Sequence, residues 1–450
     1  MLIYSLILLI GLTFLIRYIR DNKLSYTDKV KMIKKQFVNF DKNKKVAKNG
    51  GHLFGLPIYN NVNRIDLKKL NKIIEVNYDE KYAIVEGSVY VKDLSDRLLR
   101  NNWVIMTPPD MVHLTFSGLI AGVGGGSTSF RHGFFHESIL EMDVLTGEGK
   151  IIKCSPEEHS DLFYAIPNSL GTLGYILRIK MRIKPGKPFV KVTYERYTDS
   201  EEYFKKLDEY CGDTTIDFLD GTILGPNILV LVIGKFEVFV PEGKERFDKT
   251  KIFWKQLEKN EITEQYFTLY DYIWRWDSDM YYTTMETPDW TSNGDLRKYI
   301  PRELLKSTVY RTIAQLIRFD HKALDCNDVF IPIARANEFF QWFKESYKLY
   351  PIYICPVRCK TAFSLWDTCY FCDFGVGYGV NLKERPKDID MELEKKIMEF
   401  EGRKLLYAPV HCSPEIFWKL TNIDENVYNS LKDRYDPEGR FMTLYQKIKK

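Results

Sequence analysis

The chain has 450 residues, 45% of them hydrophobic and 28% charged. That is the balance of an ordinary globular protein with room for two domains, or three. The net charge of +4 is too small to imply a polyanionic partner, so nucleic acid is excluded as an expected ligand. Aromatic residues reach 14%, with 29 Tyr and 28 Phe, which suits both stacking on flat rings and a plain compositional bias.

Residues 2–16 (LIYSLILLIGLTFLI) carry no charge, and Arg17, Arg20 and Lys23 follow. Extended to Ile19, the stretch is slightly shorter than the ~20 residues a spanning helix prefers. No basic segment precedes it and no small-residue cleavage site follows, so a removed signal peptide fits poorly. The spacing predicts a single membrane anchor over 2–19, with a buried core helix as the other reading. Basic residues on its C-terminal side place the remaining chain in the cytosol. Nothing later is apolar enough to span.

Residues 24–48 are basic and polar, with a short amphipathic pattern from Val30 to Phe40. Gly50-Gly51-His52 follows, a turn whose imidazole is able to attach a flavin covalently. A plain loop histidine is the simpler reading. Residues 67–76 then lead into a strand, Tyr82 to Glu86 forms a second, Val91 to Arg100 an amphipathic helix, and Trp103 to Met106 a third strand.

The stretch Pro108 to Gly133 (PPDMVHLTFSGLIAGVGGGSTSFRHG) is the chemical centre of the sequence. Glycine allows close backbone approach, and consecutive free N–H groups make a nest for anionic oxygen. Ser127, Thr128 and Ser129 add hydroxyls, so a polyphosphate is the expected guest. Interleaved apolar residues (Leu119, Ile120, Ala121, Val123) argue against a solvated linker. There is no Walker lysine, and Gly122 to Gly124 gives only a weak dinucleotide fingerprint. Strand Ile139 to Leu145, a Thr-Gly-Glu-Gly turn and strand Lys150 to Cys154 follow instead of a Rossmann helix. A short helix (Asp161 to Ile166) leads to a second glycine turn, Asn168 to Gly174, and then to the alternating strand Tyr175 to Ile183.

From about 190 to 425, strand-like runs (Asn227 to Phe239, Val329 to Ile333, Ile352 to Cys355, Cys369 to Val376) alternate with helical ones (Ser200 to Cys211, Ala336 to Lys348, Glu392 to Glu401). They predict a sheet with helices on one face. The eight cysteines fit a reduced compartment. Cys355, Cys359, Cys369 and Cys372 have a zinc-like spacing, but their apolar, strand-like flanks favour buried free thiols, and no metal is expected.

The loop, the run SDLFYAIPNSLGTLGY, and the later FCDFGVGYGV and GRKLLYAPVHCSPEIFWKLTN together resemble the Δ24-sterol reductase family, within the FAD-binding PCMH (vanillyl-alcohol-oxidase) class. The resemblance covers nearly the whole chain, loosely between 200 and 320. It implies an α+β fold: a PCMH-type FAD-binding domain of two subdomains over 24–188, and a substrate-binding α+β cap over 189–425. A C-terminal segment, 426–450, would pack back on the core, behind an anchor in residues 1–20. It implies FAD held by Pro109, Asp110, Thr115, Gly118, Gly122, Val123, Gly124, Gly125, Gly126 and Ser127. Ser129, Arg131, His132 and Gly133 would continue that wall, and Gly171, Thr172 and Gly174 would close on the cofactor. The Gly-Gly-His stretch departs from the animal enzymes, which favours noncovalent flavin. The implied reaction is reduction of the side-chain C24–C25 double bond of a sterol, with NADPH as co-substrate, at the endoplasmic reticulum. Tyr378, Tyr407 and His411 are the candidate proton donors, with Glu415 beside them; Arg275 and Trp276 suit either a substrate mouth or a core cluster. Rival functions are a flavin oxidase or dehydrogenase of a sugar or alcohol, and a membrane-tethered binding protein without chemistry.

Overall fold

The computed structural model describes residues 24–48, 61–248, 253–277, 325–363, 365, 369–378 and 389–449. The anchor expected over residues 2–19 and His52 lie outside them. Among the described residues no helix is long and apolar enough to cross a membrane.

Helix α1 (Tyr26–Val38) opens the described chain with a capping box, Ser25 and Asp28 satisfying each other's end of the first turn. Strands β1 (Val46–Lys48) and β2 (Asn63–Ile65) pair in parallel. The first large sheet contains β3 (Ile73–Asn77), β4 (Tyr82–Glu86), β5 (Trp103–Ile105), β6 (Ile139–Leu145), β7 (Ile151–Cys154) and β8 (Tyr175–Pro185). Its order is β3-β4-β8-β6-β7, with β5 pairing the end of β8. Helix α2 (Val91–Leu99) packs beside β5, and α3 (Phe116–Ala121), α4 (Ser129–His132) and α5 (Ser160–Ala165) sit in the connections.

The strict alternation expected in β8 fails at its start, where Tyr175, Ile176 and Leu177 are all buried. The reason is a second small core. Tyr175 and Leu177 pack with Ile33, Phe37 and Phe441, so α1 and the C-terminal segment cover the face that would otherwise meet water.

The second sheet has eight strands in the order β12-β9-β11-β10-β14-β15-β13-β16. They are β9 (Phe189–Tyr197), β10 (Phe218–Gly225), β11 (Ile228–Glu237), β12 (Glu264–Thr268), β13 (Asp325–Pro332), β14 (Ile352–Cys359), β15 (Cys369–Tyr378) and β16 (Arg403–Lys404). Helices α6 (Ser200–Gly212), α7 (Ala336–Ser346) and α8 (Ile389–Glu399) lie along one face of it. Phe374 of β15 marks that face, its ring 5.7 Å from Phe204 of α6 and 4.9 Å from Phe339 of α7. Helices α9 (Pro414–Thr421), α10 (Glu425–Tyr435) and α11 (Leu444–Ile448) end the chain.

Candidate active site between the glycine loop and the second sheet

Backbone strain concentrates in the two glycine turns. Val123 holds a φ of +60°, a genuine outlier for a β-branched residue. In the second turn Asn168, Leu170 and Gly171 hold φ of +64°, +50° and +78°. The turns touch: Leu170 N–H donates to the Ala121 carbonyl at 3.1 Å. The C-terminal helices fix the second turn from outside. Tyr428 donates to Thr172 Oγ1 at 3.0 Å, Lys432 to the Thr172 carbonyl at 3.0 Å, and Lys447 to the Leu170 carbonyl.

The loop residues fit a diphosphate. Gly122, Val123 and Gly124 direct their N–H groups back into α3, and Gly126 N–H goes to Ser129 Oγ at 3.1 Å. Among the described residues the N–H groups of Gly125, Ser127 and Thr128 have no internal partner. These three closely spaced amides, with the loop hydroxyls and no lysine, form a neutral donor set of the kind that cradles phosphate oxygens. Close approach fixes the glycine at 126, where a Cβ would come well under 3.0 Å of the Pro108 carbonyl oxygen.

Opposite this loop the second sheet presents an unusual face. Thr222 of β10 pairs with Tyr353 of β14, Tyr353 with Gly375 of β15, and Gly375 with Asp328 of β13. Cys355 pairs with Asp373, and Asp373 with Phe330. Directly opposed residues share a face, so these side chains form one stripe, on the side away from Phe374. The stripe meets the loop at three points. Cys355 Sγ donates to the Gly126 carbonyl at 3.2 Å, Leu219 N–H donates to the Ser127 carbonyl at 2.7 Å, and the rings of Phe134 and Phe330 lie 5.4 Å apart.

Carboxylates are crowded in this interface. Asp220 is fully buried, ion-paired to Arg275, and accepts from Trp276 Nε1 at 3.2 Å. Arg275 lies 4.0 Å over the Tyr272 ring, which settles it and Trp276 as a buried polar-aromatic cluster. Burial pushes Asp110 up to about 7, against the pull of Arg275 and with the help of Asp220. Burial and the charge of Asp110 push Asp328 up to about 7, and burial with both neighbours raises Asp373 well above the carboxylate range. Asp373 is 6% exposed and its Oδ1 has no hydrogen-bond partner. Tyr407 donates its hydroxyl to Asp328.

The other expected residues are dispersed. Thr115 caps α3, accepting from Gly118 N–H at 3.3 Å. Arg131 turns its guanidinium to the carbonyls of Asp213 and Ile216, at 2.8 and 2.6 Å. His132 Nε2 lies 2.8 Å from Lys184 Nζ, and burial and that cation drive it down to about 3. His411 faces Asp390 at 3.4 Å rather than Asp328. Glu415 sits at the exposed start of α9 and accepts from Ser413. The side chain of Tyr378 lies outside the described residues. Among the described residues no group of side chains could hold a metal ion, and the thiols of Cys355, Cys359 and Cys372 are free and buried.

Sequence reasoning missed Asp220, Asp328, Asp373, Tyr353 and His136. His136 is 1% exposed, stacks on Phe134 and meets Phe363 edge-on at 4.2 Å; neither ring nitrogen has a partner. Burial holds it neutral, down to about 3. The available signal was a lone carboxylate inside an apolar strand (FLDGTILG, NDVFIPI, FCDFGV), where burial is costly unless the group is paired or used.

An FAD binding domain family matches residues 36–155, which contain the glycine loop. The class follows: the chain carries an FAD binding domain and is an FAD-dependent oxidoreductase. Within that class it is similar to Delta(24)-sterol reductases over most of its length. It is 24% identical to that of Homo sapiens over 84% of this chain and 76% of the relative. For the enzyme of Arabidopsis thaliana the figures are 23%, 86% and 76%. For the Delta(24)-sterol reductase homolog dhcr-24 of Caenorhabditis elegans they are 24%, 94% and 87%.

Proposed function

We propose that the protein reduces the side-chain C24–C25 double bond of a sterol, with NADPH as electron donor and noncovalent FAD as the redox group. The observation that carries this reading is the polar stripe of Asp328, Asp373 and Tyr353, set in an apolar interface directly across from the strained glycine loop. Bound FAD would supply hydride. The chain does the rest. The N–H groups of Gly125, Ser127 and Thr128 and the nearby hydroxyls hold the diphosphate, with the second turn closing beside them. The acid stripe provides the proton that hydride transfer to an unactivated alkene demands. Residues 24–188 would bind the cofactor and 189–425 would form the cap. Residues 2–19 would anchor the chain in the endoplasmic reticulum membrane, with the catalytic part cytosolic, where sterol partitions.

The test uses the full chain in detergent. The expected results are a yellow protein, bleaching by NADPH without oxygen, and return of colour on adding a sterol with a C24–C25 double bond. Rapid oxygen uptake with a sugar or alcohol would instead establish an oxidase or dehydrogenase, and a colourless protein that takes up no FAD would establish a binding protein.

A further inference from the structure

The proton donor is unassigned among the candidates read from the sequence, and the second sheet narrows the choice. Three carboxyls converge on one space: Asp328 of β13, Asp373 of β15 and Asp110 from the Pro108–Asp110 loop. Asp328 and Asp373 lie diagonally on one sheet face, since Asp328 opposes Gly375, two residues along from Asp373. Asp373 is buried with one oxygen unpartnered, a poor setting for a carboxylate and an acceptable one for a carboxylic acid. Asp328 and Asp110 are only partly buried, so both border accessible space next to the glycine loop.

We infer that Asp328 is the group that protonates the alkene, and that Tyr407 positions it and stabilises the carboxylate it leaves. This rests on the proposed reduction. In the step, the Asp328 O–H bond breaks and a C–H bond forms at one alkene carbon. The π pair is consumed, and the other carbon accepts hydride from the flavin reduced by NADPH. Asp328 then regains a proton from solvent.

The surroundings suit that role. Asp110 faces Asp328 from the 108–110 loop and disfavours a charge on it, while Asp373 on β15, itself raised by burial, Asp328 and Asp110, is held toward its neutral form beside it. Tyr353 on β14 is fully embedded and stays neutral. The Arg275 guanidinium is engaged by Asp220. Lys404 pairs with Val329 in register, which puts it on the other sheet face, where it bonds Glu394 at 2.7 Å. No cation therefore faces Asp328 among the described residues. The tyrosine hydroxyl donates to Asp328, so this bond strengthens as the proton departs. A neutral carboxyl is also a far stronger acid than a buried phenol, which removes Tyr407 itself from the donor role. His411, held to Asp390, does not reach the stripe.

The test uses the full chain in detergent, loaded with FAD, and separates two half-reactions. Asp328→Asn should keep its colour and its bleaching by NADPH, yet lose sterol-driven reoxidation by about 100-fold or more, the scale of general-acid loss. Tyr407→Phe should slow reoxidation about tenfold, on the scale of one lost hydrogen bond to a charged group. It should also move the alkaline limb of the pH profile upward, because the carboxylate loses its donor. Independently of turnover, infrared titration of the FAD-free protein should show a protonated carboxyl at neutral pH that Asp328→Asn removes. Asp328→Asn with more than about a third of wild-type reoxidation would overturn the assignment, and so would an unchanged infrared carboxyl band. If the wild type bleaches with NADPH but ignores the sterol, the sterol reading falls, while the infrared result still decides whether Asp328 carries the proton.

Discussion

Gly126 offers the sharpest test of how the loop is built. A methyl group there would sit 3.4 Å from the Pro108 carbonyl carbon, 3.8 Å from Pro109 Cα, and inside 3.0 Å of the Pro108 oxygen. All three are backbone atoms, so no side chain can swing away. Either the Pro108–Pro109 segment or the loop must move outward by close to an ångström. Overpacking of this kind costs about 1–3 kcal/mol. The displaced residues flank the free amides of Gly125 and Ser127, so the distortion should also weaken FAD binding, by about 10- to 100-fold for 1.4–2.8 kcal/mol. Gly125→Ala is the matched control. Its Cβ would meet Ser129 Oγ at 3.3 Å and Phe134 at 3.4 Å, both side chains able to yield. Urea unfolding of the FAD-free proteins and flavin titration measure the two effects. If Gly126→Ala matched Gly125→Ala in both assays, the close packing of loop against Pro108 would be refuted.

Three further outcomes are expected. Asp220→Ala strands the fully buried Arg275 guanidinium and should destabilise the protein by about 3–5 kcal/mol in denaturant unfolding, with the double change Asp220→Leu, Arg275→Met much milder. Val123→Gly relieves a β-branched residue held at φ +60° but empties a fully buried core position, so it should cost the FAD-free protein less than the ~2–5 kcal/mol typical of a large-to-small core change; a full-sized loss would mean that the loop stores no strain there. The pH dependence of thermal unfolding should separate two opposed sets. Asp328 and Asp110, held near 7 when folded and about 3.9 when unfolded, bind extra protons in the native state, so their stabilisation is present below pH ~4 and lost as pH rises to about 7. His132 and His136, driven down to about 3, act oppositely and make stability rise up to pH ~6.5. The difference between wild type and Asp328→Asn should therefore decline between pH 4 and 7, and parallel curves would contradict the raised carboxyl.

The cofactor half was legible because its signals are local. Glycines clustered with hydroxyl residues announce a nest, and strand Ile139–Leu145 has the bounds that its apolar run gives. The acid stripe was hidden because it exists only across strand registers. Asp328 and Asp373 are 45 residues apart in sequence and become neighbours through the pairing of β13 with β15. Strand β10, which carries Asp220, was passed over because glycines and threonine interrupt its apolar run. In the folded sheet Gly221 is explained by α6: a Cβ there would strike the Tyr203 hydroxyl. Tyr407 and His411 lie only four residues apart in the sequence. They diverge because the segment after β16 is not helical: it turns at 406–407, bends at 408 and bridges from Val410 to Lys449, sending one residue to Asp328 and the other to Asp390.

The strength of the acid ties these observations together. Protonating an unactivated alkene is uphill, and a phenol of ordinary pKa about 10 is weaker by three units than a carboxyl near 7, a difference of about 4 kcal/mol in driving force. Burial makes the comparison harsher for tyrosine, because it raises phenols as well as carboxyls. A carboxyl at its normal pKa of about 3.9 would have lost its proton at neutral pH. The site therefore needs a carboxyl raised just far enough to keep its proton, and close to a donor that accepts the resulting charge. Burial and Asp110 provide the first condition for Asp328, and Tyr407 provides the second. Asp373, raised further with an oxygen unpartnered, and Asp220, paired to Arg275, each lack one of them.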